Sequence, residues 1–210
     1  AFFKALLFLA AGSVIMGMHH NQDIRWMGNV RKYMPVTWIT FLIGSLALIG
    51  TPFFAGFYSK DAIIEAVHAS HLPAAGFAYF SVMAGVFVTA FYSFRLYFLV
   101  FHGKERYDQN PDAHHDDHAH DHGHHGHDAK PHESPWVVTL PLVLLAIPSV
   151  VIGAMTLMPI LFGDFFKGVI VVDGTSHHAM AELAEKIHGW LPMALHGFTG
   201  LPFWLALAGV

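Results

Sequence analysis

The sequence predicts an all-α, polytopic transmembrane helix bundle containing one discontinuous (broken) helix, and three observations predict it. Of the 210 residues, 54% are hydrophobic and 12% charged, about half the charged share of a soluble domain. The charge is uneven: it collects between Lys104 and Glu133 and thins out inside long apolar runs. One of those runs is too long for a single crossing and carries proline and glycine in its middle. Apolar runs joined by polar loops are membrane spans rather than one water-soluble core. The absence of cysteine excludes disulfides and thiolate-held metals or clusters. A formal net charge of −4 gives no reason to expect a nucleic-acid partner.

Residues 1–17 are apolar except for Lys4 and Ser13 and read as the end of a span, with small residues at 10–12 for close helix packing. Both chain ends fall inside apolar helical patterns, so the chain reads as the interior of a longer protein. Residues 18–34 form a polar connection with Arg25, Arg31 and Lys32. Residues 37–69 follow. As one straight helix they would run roughly 50 Å, against a hydrocarbon core of ~30 Å, whereas 37–50 alone reach about 21 Å. Gly50-Thr51-Pro52 and then Gly56 lie between the two parts. Proline removes a backbone donor and disfavours a helical residue before it, so a break is expected near 50–58. Ser59 is expected to cap the second half-helix, with Asp61 in its first turn.

Residues 76–101 are a third span and 136–158 a fourth, with bends expected at Pro141 and Pro148. Over 177–191, Met180, Leu183, Ala184, Ile187 and Leu191 repeat at helical spacing with Glu182, Glu185 and Lys186 opposite. That pattern is an amphipathic helix lying on the membrane surface. A further span runs over 194–210. Lysine and arginine mark the 18–34 and 102–135 loops and are missing around 71–75, which puts the two loops on the cytoplasmic side.

Lys60 is the sharpest candidate for chemistry. A lysine at the bilayer centre costs ~2.5–3.5 kcal/mol. A helix break offers it free carbonyls and water, and a lysine so placed is suited to reversible protonation. The competing reading is a shallow lysine that snorkels to an interface. Asp61, Glu65 and His68 share one face of the second half-helix. They form either a proton outlet or simply its solvated end. Lys4, among Phe2, Phe3 and Leu6, is a second relay candidate of uncertain depth. Arg95, near Tyr92 and Tyr97, lies within snorkelling distance of the interface. Ten of the 18 histidines fall between His102 and His132, interleaved with Asp112, Asp116, Asp117, Asp121 and Asp128. Such ligands suit zinc, copper or nickel. Their repetitive spacing specifies no single geometry, so the segment reads as a low-complexity loop and no metal site is assigned.

Several runs resemble a known family. AFFKALLFLAAGSV (residues 1–14) looks like the lysine helix of the antiporter-like subunits of respiratory complex I. MHHNQDIR (18–25), with Met27-Gly28 and Arg31-Lys32, resembles the loop that follows it. GFYSKDAI (56–63) is similar to the family's broken-helix lysine motif. YSFRLY (92–97) and FHGKE (101–105) resemble bacterial NADH-quinone oxidoreductase in particular. The resemblance covers about the first 105 residues. It implies a proton-translocating membrane subunit driven by electron transfer elsewhere in the complex.

By the same resemblance Lys4 belongs to a central hydrophilic axis and Lys60 ends a half-channel with Asp61 beside it; the spacing of Glu65 from Asp61 adds it as a further proton-translocation candidate. Residues 1–101 are then part of the antiporter-like core, 102–135 a His-rich cytoplasmic loop, and 136–210 C-terminal segments. No cofactor is implied in this chain. Flavin and iron–sulfur clusters are expected in partner subunits. The partners expected are other membrane-arm subunits of complex I and the lipid bilayer of the bacterial inner membrane. Alternatives are a subunit of a multisubunit sodium/proton antiporter and, more distantly, a divalent-metal transporter.

Overall fold

The computed structural model describes residues 1–109, 130–170 and 178–210. Among them every regular element is helical: α1 Phe2–Gly17, α2 Pro35–Ile49, α3 Ala55–His68, α4 Ala75–Tyr97, α5 Trp136–Leu161, α6 His178–Lys186, α7 Trp190–Gly197 and α8 Leu201–Gly209, with short single-turn pieces between them. Two helices are long and apolar enough to cross a membrane: α5, and α4 with the π-helical turn Phe98–His102 that extends it. The pair α7 and α8, bent by 56°, passes the same test as one broken span, while α1 and α2 are shorter apolar helices. Helices dominate because in lipid the backbone must satisfy its own hydrogen bonds. Phe77, Phe80 and Phe91 of α4 and Val137, Leu144, Ile147 and Met155 of α5 are exposed, an outer face suited to acyl chains.

α1 packs against α2 and α5, α2 also against α4, α3 against α4 and α5, and α8 along α4. Leu6, Ala10 and Val14 of α1, Phe41 of α2, Val86, Ala90 and Phe94 of α4, and Leu142 and Ala146 of α5 form one buried cluster. Of the small residues at 10–12, Ala10 is fully buried, whereas a methyl added at Gly12 would meet nothing within 4 Å.

The described residues of both polar loops gather at one end of the bundle. Asn29 Nδ2 donates to Glu105 Oε1 at 2.8 Å, Arg106 Nε to the Met27 carbonyl at 3.3 Å, and the Tyr107 hydroxyl to the Gly28 carbonyl. Burial pushes the Tyr107 phenol well above its ordinary range, so it remains a donor. At the same end Glu133 caps α2 from a segment far away in the chain. Its Oε2 accepts from the backbone N–H groups of Val36 (2.9 Å) and Thr37 (3.3 Å), and its Oε1 from the Thr37 hydroxyl (2.6 Å). A carboxylate there satisfies orphan donors and meets the positive end of the helix dipole. The Ser13 hydroxyl joins Thr37 at 2.8 Å and Ser134 at 2.7 Å, a buried polar tie between α1, α2 and the entry to α5.

Four local details depart from the sequence reading. α3 begins at Ala55, ahead of Ser59, because a tight turn (Phe54 N–H to Thr51 carbonyl, 3.1 Å) restarts the helix straight after Pro52. Ser59 therefore lies inside the helix, its hydroxyl donating to the Gly56 carbonyl at 3.3 Å, and caps nothing. α5 runs on to Leu161 and holds Pro141, Pro148 and Pro159 within it, Ser149 donating to the Leu145 carbonyl at 2.8 Å. α6 stops at Lys186, short of 191, because Gly189 at φ +136 turns the chain into α7. The apolar run from 194 is bent at Phe198–Gly200, where Pro202 sits in the first turn of α8.

Replacing Glu133 with alanine removes the distant cap of α2. We expect a loss of about 1–2 kcal/mol, seen as a lower thermal midpoint by circular dichroism in detergent, with Glu133→Gln losing less.

Candidate functional site at the break between α2 and α3

α2 ends where Gly50 takes the left-handed conformation, φ +84, which glycine adopts at little cost. Thr51 N–H then closes back on the Leu46 carbonyl at 3.0 Å and Gly50 N–H on that of Ala47 at 3.3 Å. The Ile49 carbonyl, which a continuing helix would pair with the N–H of residue 53, is left out of the ladder. Lys60 Nζ donates to it at 3.2 Å. The lysine stem passes over Gly50, where an added Cβ would stand 3.0 Å from Lys60 Cδ. Gly56 brings the start of α3 onto the last turn of α2: a methyl there would fall 1.8 Å from the Ala47 carbonyl oxygen.

The ammonium thus sits at the negative end of the α2 dipole. In a favourable, partly buried geometry that position contributes up to about 2 kcal/mol. Lys60 and Asp61 line one small cavity, about 10 Å³, close to the room a single water needs. Ile49, Gly50, Phe57 and Ile64 wall it on one side, with Val86 of α4 and Gly197, Pro202 and Phe203 of the bent pair on the other. Two helix breaks therefore meet at this cavity.

Asp61 is half-buried, and the fields of Glu65, one turn on, and of His196 in α7 reach it. Glu65 Oε2 accepts from Lys186 Nζ of α6 at 2.8 Å. His68 is exposed, its ring 5.1 Å from that of Tyr79. Lys4 lies exposed on α1 and does not line the cavity, so the described residues do not bring the two candidate lysines together. Arg95 is exposed in the last turn of α4. His102 accepts from Trp38 Nε1 at 3.2 Å, and its Nδ1 lies 3.0 Å from Arg31. The histidines from His114 to His127 and their aspartates lie outside the described residues. Sequence reasoning missed Lys186 and His196 as neighbours of the acidic face. Lys186 showed only as part of a polar helix face, and nothing marked His196.

Residues 1–91 match the family described as NADH:quinone oxidoreductase/Mrp antiporter, TM. Over its whole length the chain is 60% identical to NADH-quinone oxidoreductase subunit L of Neisseria meningitidis serogroup A, of which it covers 31%. It is 45% identical over 205 residues (90% of the chain, 28% of the relative) to NAD(P)H-quinone oxidoreductase chain 5 of a Picosynechococcus species. Subunit L of the Rhodobacter capsulatus NADH-quinone oxidoreductase is 44% identical over 188 residues, 84% of the chain and 24% of that protein. The chain spans about a third or less of the length of these relatives.

Gly50→Ala forces a left-handed alanine against the Lys60 stem. It should cost about 1–2 kcal/mol, whereas Gly12→Ala, facing open space, should leave thermal stability unchanged or higher; equal midpoints for the two variants would contradict this geometry.

Proposed function

We propose that this chain, whose residues 1–91 match the NADH:quinone oxidoreductase/Mrp antiporter transmembrane family, is part of a proton-translocating membrane-arm subunit of an NADH:quinone oxidoreductase. The observation that carries this reading is the lysine at the helix break: Lys60 rests on the Ile49 carbonyl at 3.2 Å and shares a water-sized cavity with Asp61. A proton leaves the Lys60 ammonium for water in the cavity and passes to the Asp61 carboxylate. The N–H bond breaks, an O–H bond forms, and the neutral amine loses its attraction to the helix end. Reprotonation restores the cation and its hold on Ile49. Charge at one site biases proton affinity at the next, which is how electron transfer in other subunits drives the relay.

In this reading residues 1–101 are part of the proton-conducting core. Lys4, on the exposed face of α1, belongs to a hydrophilic axis that the rest of the subunit completes. Residues 102–135 are a cytoplasmic loop, and 136–210 supply C-terminal transmembrane segments with an interfacial helix. Flavin and iron–sulfur clusters belong to partner subunits, and the surrounding bilayer is the bacterial inner membrane. A second reading, a subunit of a multisubunit sodium/proton antiporter, is kept because the family description names both. Co-purification of flavin- and iron–sulfur-bearing subunits selects the first, and their absence selects the second.

The direct test uses the full-length subunit in its complex, reconstituted in vesicles. Lys60→Ala should lower protons moved per electron pair with assembly largely intact, and Lys60→Arg should do the same because a guanidinium keeps its charge but does not give up its proton. Unchanged pumping in both would overturn the role of Lys60.

A further inference from the structure

α6 lies outside the family match at residues 1–91, yet the structure lays it against the half-helix that carries Lys60 and Asp61. Its apolar side is anchored: Leu183, with Ile187 just beyond the helix end, is buried in a cluster with Tyr58 and Ala62 of α3 and Leu157 of α5. Its polar edge then presents Lys186 to Glu65, Nζ to Oε2 at 2.8 Å. Glu65 lies one helical turn, about 6 Å of rise, beyond Asp61 on the same face of α3, and both partners are partly exposed to solvent. Glu182, one turn back on α6, faces His71 at 4.0 Å. The acidic face leading outward from Lys60 is thus answered by Lys186 of α6, and α6 is itself tied to the turn after α3 through Glu182 and His71.

We propose that the Glu65–Lys186 ion pair is the outer gate of the proton path, with Lys186 its positioning residue. This rests on the proton-translocation reading and adds to it the group that controls the exit. With the pair closed, the Lys186 ammonium occupies the Glu65 carboxylate and stands between it and protons from outside. A proton arriving from Asp61 breaks the O–H bond there and forms one on Glu65. Neutral Glu65 no longer attracts Lys186, whose four-carbon stem swings the ammonium into solvent. Glu65 then releases its proton to water, and the carboxylate recaptures Lys186. The hydrogen bond to Glu65 raises the Lys186 pKa, so the lysine stays charged and the pair opens from the glutamate side. Half-exposed ion pairs are weak enough to open and close during turnover.

The experiment uses the full-length subunit in its complex, in proteoliposomes, and reads electron transfer, proton pumping and passive proton leak under an imposed pH gradient. Lys186→Gln should leave electron transfer unchanged, lower protons moved per electron pair, and raise the leak by about twofold to fivefold, the equilibrium worth of a pair of this exposure. Lys186→Arg should restore both readings, and the exchange Glu65→Lys with Lys186→Glu should leak less than either single variant. Wild-type pumping and leak in Lys186→Gln would overturn the gate, as would equal loss in Lys186→Gln and Lys186→Arg. A Lys60→Ala variant that pumps normally overturns the underlying reading. Lost pumping in Lys60→Ala beside normal Lys186→Gln overturns the gate alone.

Discussion

The backbone carbonyl of Ile49, released when Gly50 ends α2, must find a donor inside an apolar bundle, and Lys60 Nζ is the donor it finds. Much of the local architecture follows from that pairing. Gly50 leaves room for the lysine stem, and Gly56 lets α3 press onto the Ala47 carbonyl so that Lys60 arrives one turn later within reach. Neither partner is stable alone: an unpaired carbonyl and an unpaired ammonium each carry a desolvation cost in a membrane interior. Bringing them together at the negative end of a helix dipole reduces both costs with one hydrogen bond.

The remaining helices hold this arrangement from two ends. At the loop end, Glu133 caps α2 and the Ser13–Thr37–Ser134 hydroxyls tie α1, α2 and the start of α5. At the cavity, Val86 of α4 and the bend between α7 and α8 close the space over Lys60 and Asp61. The bent pair makes the site a meeting of two broken helices rather than a single irregular one. A helix break frees polar backbone groups, and two breaks facing each other concentrate them around one water-sized space.

Much of this was legible in the chain itself. The all-helical class follows from the apolar runs, and the discontinuity after Gly50 from Gly50, Pro52 and a run too long to cross once. The prominence of Lys60 follows from its charge in that setting. Ser59 was misread as a cap because capping preference describes a residue type and ignores the turn geometry that starts α3 at Ala55. The bend in the last helices was hidden because Gly200 and Pro202 are compatible with an ordinary helix start, with nothing local to say that apolar helix precedes it. Lys186 looked like any solvent-facing lysine of an amphipathic helix.

What the sequence by itself determined was the solvent, the helical class and the position of the break, because hydropathy, length and the dihedral limits of glycine and proline act on neighbouring residues. Tertiary structure alone decided the partners: the Ile49 carbonyl for Lys60, Lys186 for Glu65, Glu133 for the amides of α2, and Gly197, Pro202 and Phe203 for the cavity wall. The hydrogen-bonded pairs among them join residues up to 121 positions apart. They depend on how helices dock, and docking is set by the fit of whole buried faces, which no local window of sequence contains.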